Sequence, residues 1–579
     1  MVFNKKFTKI IAICTLVCLM ISALASCNLL GTGNGTQNPS GNSGTGGSNK
    51  PSGNGGSGSN KPGNTEKEEE IFYDKGIFFD SAAADGGDGS FEAPYNSLDV
   101  IETLEISAGA YIYIKRGSEF TGSLKLANIH GTEEEPVVVT AYDKGNKPKI
   151  DGNDLSGTGV LYILNCDNIT VENLEIYDSA TTEADRRGVL VVCNGVEGSE
   201  EIVTYKNIKL KNLYVHDILG HRDAENSGMS MESKITGGIH LWSNDGLGRV
   251  DGFEITGCEI AEVSNVGIAT WQQVAQNEDG TLAVSVVSPY SKKFNDVSHA
   301  NVSINNNEVH HIGKNAIFAR NLYGGVIEYN VVHDTAIHCV SGNSIVTRSV
   351  DGTVIQYNEG YRNMAKPREK DGVIQDGSML DADLDSKDTI WQYNYSHDNS
   401  FGLFLNCTNA TDTVIVRYNL SVNDRGQKGI IYINYESAGI YVYNNTIVTS
   451  YTTEYIIQSN NNRTSYFYNN LIYNRSDKAK FSVASSGMTA ANNLIYNEYG
   501  SSIQDTAIFD AINVNGIYDQ DPLFSGYLQE DSIPGIDNQL TYILDNSSPA
   551  LGVGFDVDPV KDYFGNEYSK SIGFYCGRQ

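Results

Sequence analysis

Apolar and polar residues alternate along much of the chain, and the alternating stretches form a degenerate repeat. Each copy runs for about four residues into asparagine, and between about residues 301 and 493 the copies return mostly every 23–28 residues. The clearest copies end at Asn330, Asn358, Asn394, Asn419, Asn445, Asn470 and Asn493. Alternation with a period of two is typical of strands, and a repeat of this length is typical of stacked coils. The pattern therefore predicts a β-solenoid.

A solenoid gives the recurring residues structural roles. Inward-facing Val, Ile, Tyr and Phe side chains would stack on their copies in neighbouring coils. The repeated asparagines would form a ladder at a turn that tolerates φ > 0. Recurring His–Asp pairs are interpreted as structural turn pairs: His216-Asp217, His333-Asp334 and His397-Asp398. Four segments interrupt the repeat, at 181–204, 218–238, 272–298 and 364–388. Insertions in a solenoid fall on one face, often the binding face.

The first residues carry a targeting signal. A basic start is followed by an apolar stretch, Ile10 to Ala25, which is short for a transmembrane helix. The stretch ends in Leu24-Ala25-Ser26-Cys27, which resembles the lipobox of bacterial lipoproteins. The resemblance implies that 1–26 are removed and that Cys27 carries the lipid. The protein would then be anchored to the membrane at the bacterial cell surface. An ordinary secretory signal is the alternative.

Composition divides the rest of the chain. Residues 27–71 are rich in Gly, Ser and Asn, and we expect them to form a flexible tether. The domain that follows, 72–579, would carry the activity. The formal net charge of −30 argues against nucleic acid as a partner. It would also repel uronate-rich polymers unless calcium or local rows of Arg and Lys intervene, whereas neutral glycans meet no such penalty. We expect a monomer that acts on an oligo- or polysaccharide.

The two ends of this domain carry recognisable segments. Near its start are Gly86-Gly87-Asp88-Gly89 and Lys147-Pro148-Lys149-Ile150-Asp151-Gly152, and near its end are Asp521-Pro522-Leu523-Phe524 and Ser548-Pro549-Ala550-Leu551. They resemble segments of bacterial right-handed parallel β-helix proteins that act on polysaccharides. The resemblance implies an all-β fold, a right-handed parallel β-helix with loop insertions on one face. It leaves the chemistry open, because this architecture hosts lyases, hydrolases, epimerases and adhesins.

An aspartate cluster in the last insertion is the candidate catalytic centre. Six carboxylates fall between Asp371 and Asp388, and in an extended segment Asp381, Asp383 and Asp385 would project to one side. Carboxylates this close raise one another's pKa, so a protonated acid and an ionised nucleophile can coexist at neutral pH. Glycosidases use such a pair, and its separation distinguishes retention from inversion.

The pattern Asp-Gly-x-x-x-Asp-x-Asp, formed by Asp376, Gly377, Asp381 and Asp383, resembles a motif of β-helix glycoside hydrolase-like lipoproteins. The β-helix lacto-N-biosidases also use two aspartates seven residues apart. The resemblance implies a hydrolase with no cofactor, in which Asp376 and Asp383 are acid/base and nucleophile and Asp381 is an alternate or helper. Which of the pair takes which role stays open.

Two other functions fit the same aspartates. In a calcium-dependent polysaccharide lyase, Asp381, Asp383 and Asp385 would hold Ca²⁺, which acidifies the uronate C5 proton. The candidate bases are Lys366, Arg368, Lys370 and Lys387. In a non-catalytic glycan-binding protein, the cluster would be a solvated acidic loop.

Six residues follow alternating apolar runs at a similar phase and are predicted to bind substrate along one groove wall: His240, Trp242, Trp271, Arg320, Arg348 and Asn406. Exposed Trp faces would stack on sugar rings, while Arg and His would bond hydroxyl or N-acetyl groups.

Overall fold

The strands of this chain wind into coils around a continuous apolar core. The computed structural model describes residues 76–222, 234–276, 282–285, 287–408, 412–434, 439–459, 464–484, 486–525, 539–557 and 560–577. The predicted signal peptide, Cys27 and the tether lie outside these residues. The strands pair in parallel with those one coil away and form three long sheets. This is the right-handed parallel β-helix that the sequence predicted.

The first sheet has 19 strands. They are Gly76–Phe79, Tyr111–Lys115, Val137–Tyr142, Ile169–Glu172, Val203–Lys211, Gly248–Thr256, His299–Ala300, Ser303–Asn305, Leu322–Tyr323, Val326–Glu328, Val350–Asp351, Val354–Gln356, Ser386–Lys387, Thr389–Gln392, Val414–Arg417, Ile440–Tyr443, Ser465–Tyr468, Met488–Ala491 and Asn513–Val514.

The second sheet has 14 strands. They are Glu119–Thr121, Lys149–Asp151, Glu175–Tyr177, Tyr214–Ile218, Glu259–Val263, Glu308–Ile312, Val331–Thr335, Glu359–Asn363, Tyr395–His397, Leu420–Val422, Thr446–Val448, Leu471–Asn474, Leu494–Asn497 and Ile517–Tyr518.

The third sheet has 12 strands. They are Leu124–Ala127, Gly159–Leu164, Arg187–Val192, Gly237–Trp242, Val266–Thr270, Ile317–Arg320, Ile345–Arg348, Leu380–Ala382, Phe404–Asn406, Ile431–Ile433, Tyr455–Ser459 and Lys480–Val483. Gln273–Gln276 and Leu282–Ser285 form a separate antiparallel hairpin. Short helices span Phe294–Val297 and Ala507–Ile512, and 3-10 turns span Leu98–Thr103 and Leu540–Tyr542. None of the helices in the described part of the chain is long and apolar enough to cross a membrane.

The predicted asparagine ladder is confirmed at the turn between the first and second sheets. The side chain of Asn358, for example, accepts from Asn330 and donates to Asn394 at 3.0 Å, and both groups are buried. The positive φ angles, however, belong to the residue before each ladder position. Tyr357 has φ +54° and Asn444 has φ +54°. The ladder thus leaves few buried amides without partners at this corner.

Long connections flank the third sheet on both sides. Residues 219–236 and 364–379 lead into its strands, and residues 193–202 and 271–298 lead out of them. Two predicted insertions had wrong limits, since 181–204 contains the strand Arg187–Val192 and 364–388 contains the strand Leu380–Ala382. Both strands are short and wholly buried. They therefore lack the polar alternation that marks a half-exposed strand. The insertions surround the outer face of one sheet.

Candidate active site

The outer face of the third sheet carries two parallel rows of side chains. Strand register aligns His240 with Ala269, Ala269 with Phe318, Phe318 with Val346, and Val346 with Asp381. A second row lies two residues further along each strand and pairs Arg320 with Arg348. Trp242, Trp271 and Asp383 extend this second row by the same register. Residues 28 to 49 positions apart in the sequence thus become neighbours in a row, because each coil adds one member to each row.

Asp381 and Asp383 belong to these rows, one strand beyond Val346 and Arg348, and Asp376 joins them from the preceding loop. Asp381 is buried, with 6% of its surface exposed. The Asp383 side chain is 23% exposed and lies 3.6 Å from Arg348 Nη1. Asp376 accepts a hydrogen bond from the Ser341 hydroxyl. The structure therefore places the three predicted catalytic aspartates at one site.

The carboxylates differ in their electrostatic surroundings. Burial raises the pKa of Asp376, and the charge of Asp383 raises it further, against the effects of Ser341 and nearby lysines. Burial raises the pKa of Asp381 well above its usual value, and the charges of Asp383 and Asp376 add to it. Asp383, in contrast, has the Arg348 guanidinium beside it. Such an arrangement favours the protonated forms of Asp376 and Asp381, whereas Asp383 has a cation beside it.

Asn343 fixes the relative positions of these aspartates. Its side-chain amide donates to Asp381 Oδ2 at 2.7 Å. Its side-chain carbonyl accepts from the backbone N–H groups of Gly377 at 3.0 Å and Ser378 at 2.8 Å. One buried side chain thus holds both the loop that carries Asp376 and the strand that carries Asp381. Sequence reasoning missed it, because nothing in a lone asparagine of the 336–344 connection indicates this contact.

Lysines from three different coils also face the site and were missed. Lys234 Nζ lies 4.8 Å from the Phe318 ring centre. Burial, the charge of Lys314 and that of Arg320 lower its pKa to about 8, although Asp383 and Asp376 act in the opposite direction. Lys428 Nζ donates to the Gln375 carbonyl at 2.8 Å, next to Asp376. No shared motif links these lysines in the sequence, so only the winding of the coils brings them together.

The predicted substrate-binding residues are only partly where the sequence placed them. His240, Arg320 and Arg348 lie on the outer face. Arg348 is beside Asp383 and Arg320 is one strand beyond Arg348, but His240 is four strands from Asp381 and fully buried. Asn406 pairs with Ala382, which belongs to the inner core, so it lies on the opposite phase and does not line the groove. The alternation is shifted by one residue in that coil, and a shift of one residue reverses the face.

The two tryptophans are buried rather than exposed, which corrects the prediction of open stacking faces. Trp271 has no exposed surface and Trp242 is 5% exposed. The Arg320 guanidinium lies 4.5 Å above the Trp271 ring, and that of Arg187 lies 4.1 Å above the Trp242 ring. Periodicity gave the phase of these residues correctly but carried no information on the segments that cover them.

Several buried polar atoms at the site have no hydrogen-bond partner among the described residues. On one side are donors, namely all three guanidinium nitrogens of Arg320, Nε of Arg348 and Nε1 of Trp242. On the other side are the acceptors Oδ1 of Asp381, Oε1 of Gln375 and Oε1 of Gln427. Because buried polar groups are normally paired, this concentration indicates a surface shaped for a polar ligand.

The alternative calcium ligands do not form a row. The extended segment ends at Ala382, and the chain turns at Asp385, where φ is +62°. Asp385 therefore leaves the side shared by Asp381 and Asp383. Within the described residues, no group of three or more His, Cys, Asp or Glu side chains is placed to hold a metal ion. Calcium dependence stays a prediction to be tested.

The architecture defines a class, the right-handed parallel β-helix proteins. No protein-family model matches the chain. Among curated proteins, it is 26% identical over 530 residues to the lacto-N-biosidase of Bifidobacterium longum subsp. longum, an alignment covering 78% of this chain and 32% of that protein. This chain thus spans about a third of the length of that relative.

Solved structures agree on the fold. The GH136 lacto-N-biosidase from Eubacterium ramulus has a TM-score of 0.50 and 21% identity, over 76% of this chain and 66% of that chain. A pectate lyase has a TM-score of 0.36 and 12% identity, over 87% of this chain and 96% of that chain. The expected resemblance to β-helix carbohydrate-active proteins is confirmed, and within that class the chain is similar to lacto-N-biosidases.

Proposed function

We propose that this protein is a glycoside hydrolase that cleaves an oligo- or polysaccharide with Asp376 and Asp383. The observation that carries the proposal is the meeting of two unlike carboxyl groups at one site. Asp376 has a pKa raised by burial, while Asp383 has Arg348 at 3.6 Å. Glycosidases need this combination of a proton-holding acid and an ionised partner. Similarity to a lacto-N-biosidase over 78% of the chain supports the same class of reaction.

The environments of the two aspartates support the following roles. Asp376 transfers its proton to the glycosidic oxygen as the bond to the anomeric carbon breaks. Asp383, as the carboxylate, attacks that carbon and forms a glycosyl-enzyme ester. Asp376, now ionised, takes a proton from the water that cleaves the ester, and both groups return to their starting states. Asp381, with its raised pKa, is a neutral helper beside Asp383.

A finer proposal concerns the substrate and the place of action. The substrate is a glycan of the kind on which a lacto-N-biosidase acts, and the similarity to the Bifidobacterium enzyme supports it. The protein acts at the bacterial cell surface, held there through a lipid on Cys27. The lipobox-like Leu24-Ala25-Ser26-Cys27 and the following Gly/Ser/Asn-rich tether support this placement.

The test is digestion of a panel of neutral and acidic glycans, with and without EDTA, by the wild type, Asp383→Asn and Asp371→Asn. Asp371 is a matched control, since it is a carboxylate of the same loop that pairs with Arg368 at 2.6 Å. We expect products that contain one added water, formed without metal, from the wild type and the control alone. Cleavage by Asp383→Asn at the wild-type rate would refute the proposed roles.

A polysaccharide lyase is the second candidate, and one observation favours it. Lys234 has a pKa lowered to about 8 and lies near the aspartates and Arg320, as a base for C5 proton abstraction would. In the same digestion, unsaturated uronate products with ultraviolet absorbance would identify a lyase, and sensitivity to EDTA would make it calcium-dependent. Silence across the panel would favour a non-catalytic glycan-binding protein.

A further inference from the structure

Arg320 has an unusual environment for a charged side chain. Its side chain is fully buried, and none of its three guanidinium nitrogens has a hydrogen-bond partner among the described residues. Aromatic rings lie on it, with the guanidinium 4.5 Å from the Trp271 ring centre and 5.3 Å from that of Phe318. Because arginine stays protonated in proteins, this is a buried cation without an anion that bonds it. Such a group is costly unless a ligand completes it.

The cations around Arg320 make the imbalance larger. Arg348 is its partner on the next strand, and Nε of Arg348 also has no hydrogen-bond partner in the described part of the chain. Lys234 lies over the same Phe318 ring, at 4.8 Å. Asp383 is a carboxylate beside these cations, 3.6 Å from Arg348. Arg320 is fully buried, whereas Arg348 and Lys234 are partly buried. Three cations so close together in a protein of net charge −30 indicate a local site for an anion.

Unpaired acceptors lie at and around the aspartates. Oδ1 of Asp381, Oε1 of Gln375 and Oε1 of Gln427 have no hydrogen-bond donor among the described residues. Gln375 precedes Asp376 in the same connection, and Gln427 lies in the connection that leads to the strand Ile431–Ile433. The unpaired donors of Arg320 and Arg348 come from the two strands before Leu380–Ala382. A sugar chain at the aspartates would therefore meet both anion-binding groups and groups that accept from hydroxyls.

We propose that the subsite formed by Arg320 and Arg348 binds an oxyanion substituent of the glycan, a carboxylate or a sulfate ester, next to Asp383. The planar fork of a guanidinium matches both groups with paired N–H···O bonds. The proposal rests on the proposed function for the identity of the ligand as a glycan. It adds that the substrate is negatively charged. The two arginines would attract this charge and offset the electrostatic repulsion by the rest of the acidic protein.

The test is calorimetric binding of two matched sugar pairs to the full chain at low and at high salt. The pairs are N-acetylglucosamine with its 6-sulfate, and glucose with glucuronate. We expect the anionic member of at least one pair to bind about tenfold tighter, the range for a hydrogen bond to a charged group. The pair that responds separates sulfate from carboxylate. High salt should reduce the difference, because added ions screen it.

Variants locate the effect. Arg320→Gln and Arg348→Gln should reduce the anionic preference to about twofold or less, and Arg320→Lys should keep part of it because the charge remains. Arg362→Gln is the control, since Arg362 is an exposed arginine paired with Asp334 on the second sheet. It should bind as the wild type does. Unchanged melting temperatures for the variants would establish that they are folded.

Each outcome either supports or overturns the anion site, and a failure of the anion site can be distinguished from a failure of the proposed hydrolase. Equal affinity for charged and neutral sugars would overturn the proposal, as would a preference that survives both Arg→Gln substitutions. Hydrolysis of neutral glycans combined with equal affinities would keep the hydrolase and remove the anion site. A strong anionic preference without any cleavage would keep the anion site and remove the hydrolase.

Discussion

Two outer faces of this β-helix carry rows of charged residues, and the two faces differ in whether those residues have hydrogen-bond partners. On the second sheet, His333 bonds Asp334 at 2.7 Å and lies 3.4 Å from Glu308 of the neighbouring coil. His216 and His397 repeat the arrangement. On the third sheet, the side chains of Arg320 and Asp381 retain unpaired polar atoms within the described structure. The polar groups of the second-sheet row pair with one another, whereas those of the third-sheet rows are left partly unpaired.

The comparison teaches how a uniform fold separates stability from function. On the second sheet, His216, His333 and His397 each bond an aspartate of their own coil and lie near a glutamate of the preceding coil. On the third sheet, Arg348 lies 3.6 Å from Asp383, but the guanidinium of Arg320 has no hydrogen-bond partner among the described residues. Proteins retain such incompletely paired arrangements where binding requires them.

The largest expected effect separates the two faces by activity. Asp383→Asn should lower kcat by about 10²–10⁴-fold, since it removes the proposed nucleophile, and this effect should far exceed any change in stability. Asp334→Asn should leave kcat unchanged and lower the stability of the fold. The pKa of Asp334 is lowered to about 2 by Arg362 and His333, which outweigh burial, so its loss costs about 1 kcal/mol of stability. Equal effects of the two changes on kcat would erase the contrast.

A smaller loss of activity is expected from Asn343→Ala. The change removes the donor to Asp381 and the acceptor for Gly377 and Ser378, so the Asp376 loop shifts. A shift of about 1 Å costs up to about 10²-fold, and we expect a fall in kcat of about 10–100-fold. The Asn343 hydrogen bond lowers the pKa of Asp381, so its loss should also move the pH profile upward. A purely structural role would leave the profile in place.

The sequence alone was sufficient to predict the features that recur from coil to coil and the one cluster of aspartates. The ladder at Asn358 and the turn pair His333-Asp334 were predictable because each recurs in several coils. Asp376, Asp381 and Asp383 stood out because they are close in sequence. Asn343, Lys234 and Lys428 could not be found this way, because register between distant coils brings them together. The burial of Trp271 was missed for a related reason, since periodicity says nothing of the loop that covers a face.

The unpaired row should also limit stability. Arg320→Met removes the buried charge and keeps much of the volume between Trp271 and Phe318. We expect the free energy of unfolding, measured by denaturant titration, to rise by about 1 kcal/mol in the variant. Replacing an uncompensated buried charge with an apolar group relieves its desolvation cost. An anionic sugar should stabilise the wild type and not the variant. Arg362→Met, which breaks a surface pair, should not stabilise.

The smallest effect should come from the histidine–carboxylate row of the second sheet, as a dependence of stability on pH. Burial opposes protonation of His397, but its hydrogen bonds to Asp398 and Glu359 prevail and raise its pKa. Because the folded pKa exceeds the unfolded value of about 6.5, this contribution is complete below about pH 6.5 and is lost as pH rises through the folded pKa. Denaturant unfolding at about pH 6 and about pH 8.5 measures it.

His397→Gln should remove part of the decrease in stability between the two pH values, since glutamine carries no charge for Asp398 and Glu359 to stabilise. His130→Gln is the matched control, because His130 has an exposed side chain in an early coil and pairs loosely with Asp167 at 3.4 Å. A decrease that is the same in His397→Gln and in the wild type would mean that the second-sheet row does not stabilise the helix by charge. The contrast between the two faces would then rest on the third sheet alone.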